Sequence, residues 1–243
     1  MNKNYIMSFG SNLEYENFSR ELLKDFQNIY PYFVPKLLTS NDLPLNILEF
    51  SRNNSLGFGY WLWKPYLIKT ILSTLNVGEN LLYVDGRSGL TINKYHFLIR
   101  KKISWLERYL NSDYDLAALQ TNFIENRYTS ADLFYELELD LDSEEALSGQ
   151  YAATFFILKK NQKTEKMINR WSALCNNLDL LKGQNFNNLN SREFKEHRHD
   201  QSALSLLIKL NLDNLKIMNI SDIEMKKVPN IIPHVKSHPI NNE

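Results

Sequence analysis

The sequence predicts a single α/β domain with a mostly parallel central sheet flanked by helices. Short apolar runs of β type alternate with segments of helical spacing through the chain. Several of those runs end in Gly or Asp turns, as in "SFGS" and "LLYVDG". Length sets the rest: 243 residues at 43% apolar content bury one sizeable core, and no linker long enough to separate a pair of domains interrupts them.

Taken in order, residues 5–11 ("YIMSFGS") form a short strand that breaks at Gly10. The segment after it has Phe18, Leu22, Phe26 and Ile29 at helical spacing. A second strand is expected over 36–44, and a helix from about Pro65 that stops near Gly78. "NLLYVDG" is the next strand, followed by an amphipathic helix over 94–110 and a strand over 114–121. Residues 130–149 carry many acids and read as helix plus loop. "QYAATFFILKK" reads as a buried strand, although Ser148, Gly149 and Gln150 at its start are placed to line a pocket. "TEKMINRWSALCNNL" follows as a helix, and an Asn-rich loop over 183–190 precedes a helix in the second half of 191–211. The end of the chain is Pro-punctuated and irregular.

Composition excludes several functions. Lys plus Arg (28) equals Asp plus Glu (28), so no global field marks nucleic acid or an anionic membrane as the main partner. Cys175 is the only cysteine, which rules out an intrachain disulfide and fits a reducing, cytoplasmic setting. The N-terminus lacks a long apolar h-region and carries Glu14 and Glu16 early, so no signal peptide is expected. No transmembrane run of about eighteen apolar residues occurs. Lys226, Lys227 and Lys236 near the C-terminus suggest peripheral association with the inner face of a membrane.

Four places carry chemistry-bearing residues. Asp85 follows "LLYV", where a carboxylate at a rigid strand end binds a cation or a ribose, or else caps the turn at Gly86 and Arg87. In "HRHDQSALSLL", Asp200 stands at a helix N-terminus with Gln201 and Ser202 in its first turn, and His197, Arg198 and His199 add donors or metal ligands. The bland alternative is an N-cap with solvated neighbours, and no third zinc ligand has a recognisable spacing. "GFGYWLWKP" packs two Gly, four aromatics and Lys64 into nine residues. It is either a loop over a ligand, with Trp61 or Trp63 stacking and Lys64 meeting a phosphate, or a helix start with buried aromatics. His234, Lys236 and His238 either fold over a diphosphate or fray.

Together "GYWLWKP" (59–65), "LLYVDGR" (81–87) and "RHDQSALSLL" (198–207) resemble, in order and separation, blocks of glycosyltransferases of the GT-A, Rossmann-like fold. The likeness covers residues 5–210. It implies a nucleotide-sugar-binding half over about 1–93, an acceptor and catalytic half over about 94–225, and a basic tail over 226–243. It further implies transfer of a sugar from a nucleotide-diphosphate sugar to a hydroxyl of a glycan, lipid-linked glycan or polysaccharide precursor, with a divalent manganese or magnesium ion at the diphosphate. By position Asp85 is the first acid of an Asp-x-Asp motif and the metal ligand. Arg87 stands at the motif's third position, and an Arg cannot ligate a metal. Either Arg87 touches phosphate in the cation's place, or Asp85 recruits a ligand from "HRHD", including His197 and His199. Phe9, Gly10 and Ser11 would meet the base and ribose, while Trp63 and Lys64 shape the pocket. Asp200 would be the general base of an inverting enzyme, or Gln201 would face the anomeric carbon of a retaining one, the arrangement favoured by likeness. Two other readings compete: a degenerate GT-A domain that binds a glycan or protein without turnover, and a nucleotidyltransferase, whose Gly-rich basic loop "FGSNLEYENF" does not supply.

Overall fold

The computed structural model describes residues 3–86, 104–184 and 189–220. Arg87, the first ten residues of the helix expected over 94–110, a portion of the Asn-rich loop, and the basic tail with Lys226, Lys227, His234, Lys236 and His238 lie outside the described residues.

The elements run β1 (Asn4–Gly10), α1 (Leu13–Ile29), β2 (Phe33–Thr39), a 3-10 turn (Ser40–Asp42), α2 (Leu45–Asn53), α3 (Gly57–Tyr60), α4 (Trp63–Thr74), β3 (Asn80–Val84) and α5 (Ser104–Leu110). They continue β4 (Leu116–Ile124), α6 (Glu125–Tyr128), α7 (Ala131–Glu136), α8 (Glu144–Leu147), β5 (Gly149–Lys159), α9 (Gln162–Asn176), α10 (Leu178–Lys182), α11 (His199–Leu210) and β6 (Ile217–Ile220). The sheet order is β2-β1-β3-β5-β4-β6. Pairings of β1 with β2 and β3, and of β4 with β6, are parallel, whereas β5 runs antiparallel to both its neighbours. The mixed α/β fold with a mostly parallel sheet is therefore as the sequence predicts, with β5 reversed.

Period-2 alternation gives the sheet two apolar faces. Ile6, Leu82, Val84, Ala117 and Ile157 pack under α1 and α5, against Leu22, Phe26, Trp105 and Tyr109. On the other face Met7, Tyr83, Ala118, Phe156 and Leu158 meet α4, α9 and α11 through Ile68, Trp171 and Leu204. Central β3 is buried on both faces, which is why it reads as an unbroken apolar run.

Along β5 the alternation slips. Tyr151 and Ala153 face the α11 side, but so do Phe156 and Leu158, and the register against β4 shifts between Ala118↔Phe156 and Gln120↔Tyr151. This bulge falls beside Asp85, whose backbone N–H donates to Thr154 O at 2.8 Å.

The second strand lies earlier than the expected 36–44. Thr39 N–H donates to Asp42 Oδ2 at 2.8 Å in a capping box, so the chain turns at Ser40 instead of extending. Pro35 is accommodated because β2 is the outermost strand of the order, where a missing N–H costs no ladder bond. α4 begins two residues before Pro65. α2 and β6 have no counterpart in the sequence reading.

Candidate active site

Three sequence-distant segments converge beyond the C-terminal end of β3. Asp85 leaves the strand there, Lys64 projects from the first turn of α4, and Asp200 from the first turn of α11. Lys64 Nζ lies 3.4 Å from Asp85 Oδ1 and 3.2 Å from Asp200 Oδ2, and donates to Ala153 O at 3.2 Å. The Tyr83 hydroxyl donates a short hydrogen bond to the same Asp85 oxygen. Trp171 Nε1 donates to Asp200 O at 2.8 Å, pinning the start of α11 to α9.

The local chain explains how Lys64 arrives there. α3 is one turn of left-handed backbone, with φ of 57° at Gly57, 51° at Phe58, 83° at Gly59 and 53° at Tyr60, and Trp61 continues it at 59°. Gly takes this conformation freely, but Phe58, Tyr60 and Trp61 each cost roughly 1–2 kcal/mol. Packing offsets the cost. Trp63 stacks on Phe9 with centroids 4.0 Å apart, and its Nε1 donates to Gly57 O at 3.1 Å. A cation in the first turn of a helix opposes the helix dipole, so the two carboxylates hold Lys64 in place where the dipole would not.

Burial makes this cluster electrostatically tense. The Lys64 and Asp200 side chains are 2% and 4% exposed, and that of Asp85 22%. Burial works against the Lys64 ammonium, but Asp200 and Asp85 together outweigh it and hold its pKa above the ordinary value. Asp200 fares differently: burial pushes its pKa up to about 6, with Lys64 opposing and Asp85 adding to the rise. The asymmetry is physical, because Lys64 has two anionic neighbours while Asp200 shares one cation with another carboxylate. Among the described residues Asp200 Oδ2 also makes no aligned hydrogen bond, despite its closeness to the ammonium.

The remaining sequence-marked residues separate into near and far. Phe9 belongs to the core beneath Trp63. Gly10 is required by space, since a Cβ there would stand 2.4 Å from the backbone N of Glu16. Ser11 follows, half-buried. Gln201 is committed to the protein: its Oε1 accepts from Ala153 N–H at 3.2 Å and its Nε2 donates to Gln150 Oε1 at 2.9 Å. His197 Nδ1 accepts from Ser130 N–H at 3.1 Å, and burial lowers its pKa to about 3, so the ring is neutral. His199 sits 2.9 Å from Leu181 O through Nδ1 and packs against Tyr60 and Trp61; burial lowers its pKa too. What stands beside Asp85 from the "HRHD" segment is thus Asp200, through Lys64. Tyr83 and Gln150 also belong to this surround. Tyr83 lies in a run whose spelling signals core alone, so no pattern pointed to its hydroxyl.

No family model matches the chain, and no curated protein matches its sequence. Two solved structures are similar in course. A glycosyltransferase involved in the glycosylation of the major capsid of PBCV-1 aligns over 90% of this chain and 81% of its own, at 10% identity and a TM-score of 0.47. The galactosyltransferase LgtC, in complex with donor and acceptor sugar analogs, aligns over 88% of this chain and 72% of its own, at 12% identity and a TM-score of 0.49.

The implied divalent metal is not matched by the side chains described. Among the described residues no group of three or more His, Cys, Asp or Glu is placed to hold a metal ion. The inner oxygen of Asp85 is already served by Tyr83 and Lys64. Among the described residues no helix is long and apolar enough to cross a membrane.

Proposed function

We propose that this chain is a glycosyltransferase that moves a sugar from a nucleotide-diphosphate sugar to an acceptor hydroxyl on a glycan or polysaccharide precursor, with retention at the anomeric carbon. The observation that carries the reading is the meeting of Asp85, Lys64 and Asp200 from three distant segments at a strand's carboxyl end, the place where ligands bind in open α/β sheets. A buried cluster of this kind opposes stability through desolvation, and such perturbed groups mark functional sites.

In this reading the donor lies across the end of β3 with its sugar beside the partly exposed Asp85, an acceptor for sugar hydroxyls. The acceptor oxygen bonds to the anomeric carbon as the bond from that carbon to the phosphate oxygen breaks on the same face. The acceptor's proton passes to the departing phosphate oxygen, and the nucleoside diphosphate leaves. Gln201 Oε1 turns the lone pair not taken by Ala153 N–H toward the opposite face of the sugar, where positive charge develops. Asp200 holds Lys64 in position. Its near-complete burial removes it from the acceptor, which favours Gln201 over an Asp200 general base. No step is routed through a metal.

A thermal-shift panel of nucleoside diphosphates and sugar nucleotides, each with manganese, magnesium or chelator, tests the reading together with slow donor hydrolysis. Stabilisation by one nucleotide, and hydrolysis reduced about 100-fold in Asp85→Asn without loss of fold, is the expected result. Absence of both binding and hydrolysis would leave a non-catalytic GT-A-like domain and sink the proposal.

A further inference from the structure

Behind the site lies a second buried charge pair, and hydrogen bonds join it to Gln201. Glu125, wholly buried at the start of α6, meets Lys209 Nζ at 2.7 Å through Oε2. The same carboxylate accepts from Ser205 Oγ at Oε2, and from Thr129 Oγ1 (2.7 Å) and Gln150 Nε2 (2.8 Å) at Oε1. Ser205 Oγ accepts from Tyr151 N–H at 2.8 Å, so its own proton is directed at Glu125. Every neighbour donates, as an ionised carboxylate demands.

The donor set fixes the amides beyond it. Gln150 Nε2 faces Glu125 Oε1, Thr129 Oγ1 at 3.0 Å and Tyr128 O at 3.3 Å, which are all acceptors toward it, so this end of the side chain must be the NH2. Gln150 Oε1 therefore points at Gln201, which answers with Nε2 at 2.9 Å and is left with Oε1 on the Ala153 N–H. Ala153 O in turn accepts from Lys64.

We propose that Glu125 and Gln150 are positioning residues: a relay from carboxylate to amide to amide that fixes which end of the Gln201 side chain is oxygen. The inference rests on the glycosyltransferase reading only for its purpose, since a flipped Gln201 would present NH2 where that reading needs an oxygen. The relay itself is a property of this fold. Lys209 neutralises Glu125, so the charge that orients the amides adds no net charge behind the site.

The test uses the full chain with 15N-labelled side-chain amides, Gln201 being assigned through Gln201→Leu. In the unaltered protein the Gln201 NH2 pair is expected at a distinct position and slow to exchange with water. In Gln150→Met, which keeps the volume but removes the amide, and in the charge-free double variant Glu125→Gln with Lys209→Met, that pair should move and exchange faster. Thermal stability guards against reading unfolding as relay loss. Donor hydrolysis in both variants should fall on the order of 100-fold in kcat with nucleotide affinity unchanged, the signature of misplacement without lost binding. A Gln201 signal unmoved in two folded variants would overturn the relay. Failure of the unaltered protein to bind nucleotide would sink the transferase reading alone, because the amide signals decide the relay independently.

Discussion

At the scale of single residues, the described part of the site is governed by the Lys64 ammonium, shared between Asp85 and Asp200. Removing it should be costly. Lys64→Met takes the ammonium away from the buried Asp200 carboxylate, 3.2 Å from it, and the expected loss in urea unfolding is about 3–5 kcal/mol. A loss within the range of ordinary surface substitutions would mean the ammonium does not hold the cluster. Asp200 adds a pH dependence of definite sign. Its folded pKa, about 6, is raised above the ordinary 3.8, so the folded state binds its proton more tightly than the unfolded chain does. Stability from this group is full below the ordinary value and is lost as pH rises through about 6. Asp200→Asn cannot titrate, so wild type should lose stability relative to this variant across that window; a constant difference would show that Asp200 keeps an ordinary pKa. Asp85 and Asp200 were legible as candidates because a strand end and a helix start are local patterns. Lys64 as their shared partner was not, since its distance to either acid is set by how α3 and α4 fold over β3. Gln150 could be placed at a pocket from sequence, but its link to Glu125 joins residues 25 positions apart that only the sheet brings together.

At the scale of elements, most strands and long helices follow the sequence pattern because burial on one or two faces writes a period into the chain. What escaped was backbone geometry. The left-handed turn over 57–61 has no hydrophobic period, and its glycines admit several conformations; the stacking of Trp63 on Phe9 selects one. Similarly, the end of the second strand is fixed by the Thr39–Asp42 capping box and not by apolar content. The junction of β1 and α1 shows how tightly elements are set. A Cβ on Gly10 would meet the backbone N and Cα of Glu16 at 2.4 and 2.5 Å, atoms that a rotamer change cannot move. Gly10→Ala should therefore displace the first turn of α1 and destabilise the protein by about 1–3 kcal/mol in chemical denaturation. An unchanged midpoint would show that α1 shifts freely on β1.

At the scale of the molecule, the sheet separates two apolar layers that do different work. The layer under α1 and α5 is mainly apolar core with a buried Ser8–Ser19 hydrogen bond, while the layer under α4, α9 and α11 also encloses the Lys64 cluster and, next to it, the Glu125–Lys209 pair. The reversal of β5 couples them: its bulge brings Ala153 between Gln201 and Lys64, and Thr154 O onto Asp85 N–H. Sequence could not reveal this, because strand direction is not written in an apolar run. The arrangement predicts a local consequence for a remote readout. In Lys64→Met, amide hydrogen exchange should accelerate in the first turns of α4 and α11 and at the end of β3, where the cluster ties three elements together. Amides of α1 and β2, on the other layer and at the sheet edge, should accelerate less, and only through the lowered stability of the whole fold, because their bonds and contacts do not pass through Lys64. Acceleration spread evenly over α1 and β2 as well would instead mean that the two layers open as one cooperative unit, with the charge cluster stabilising the whole fold and not only the corner where α4, α11 and β3 meet.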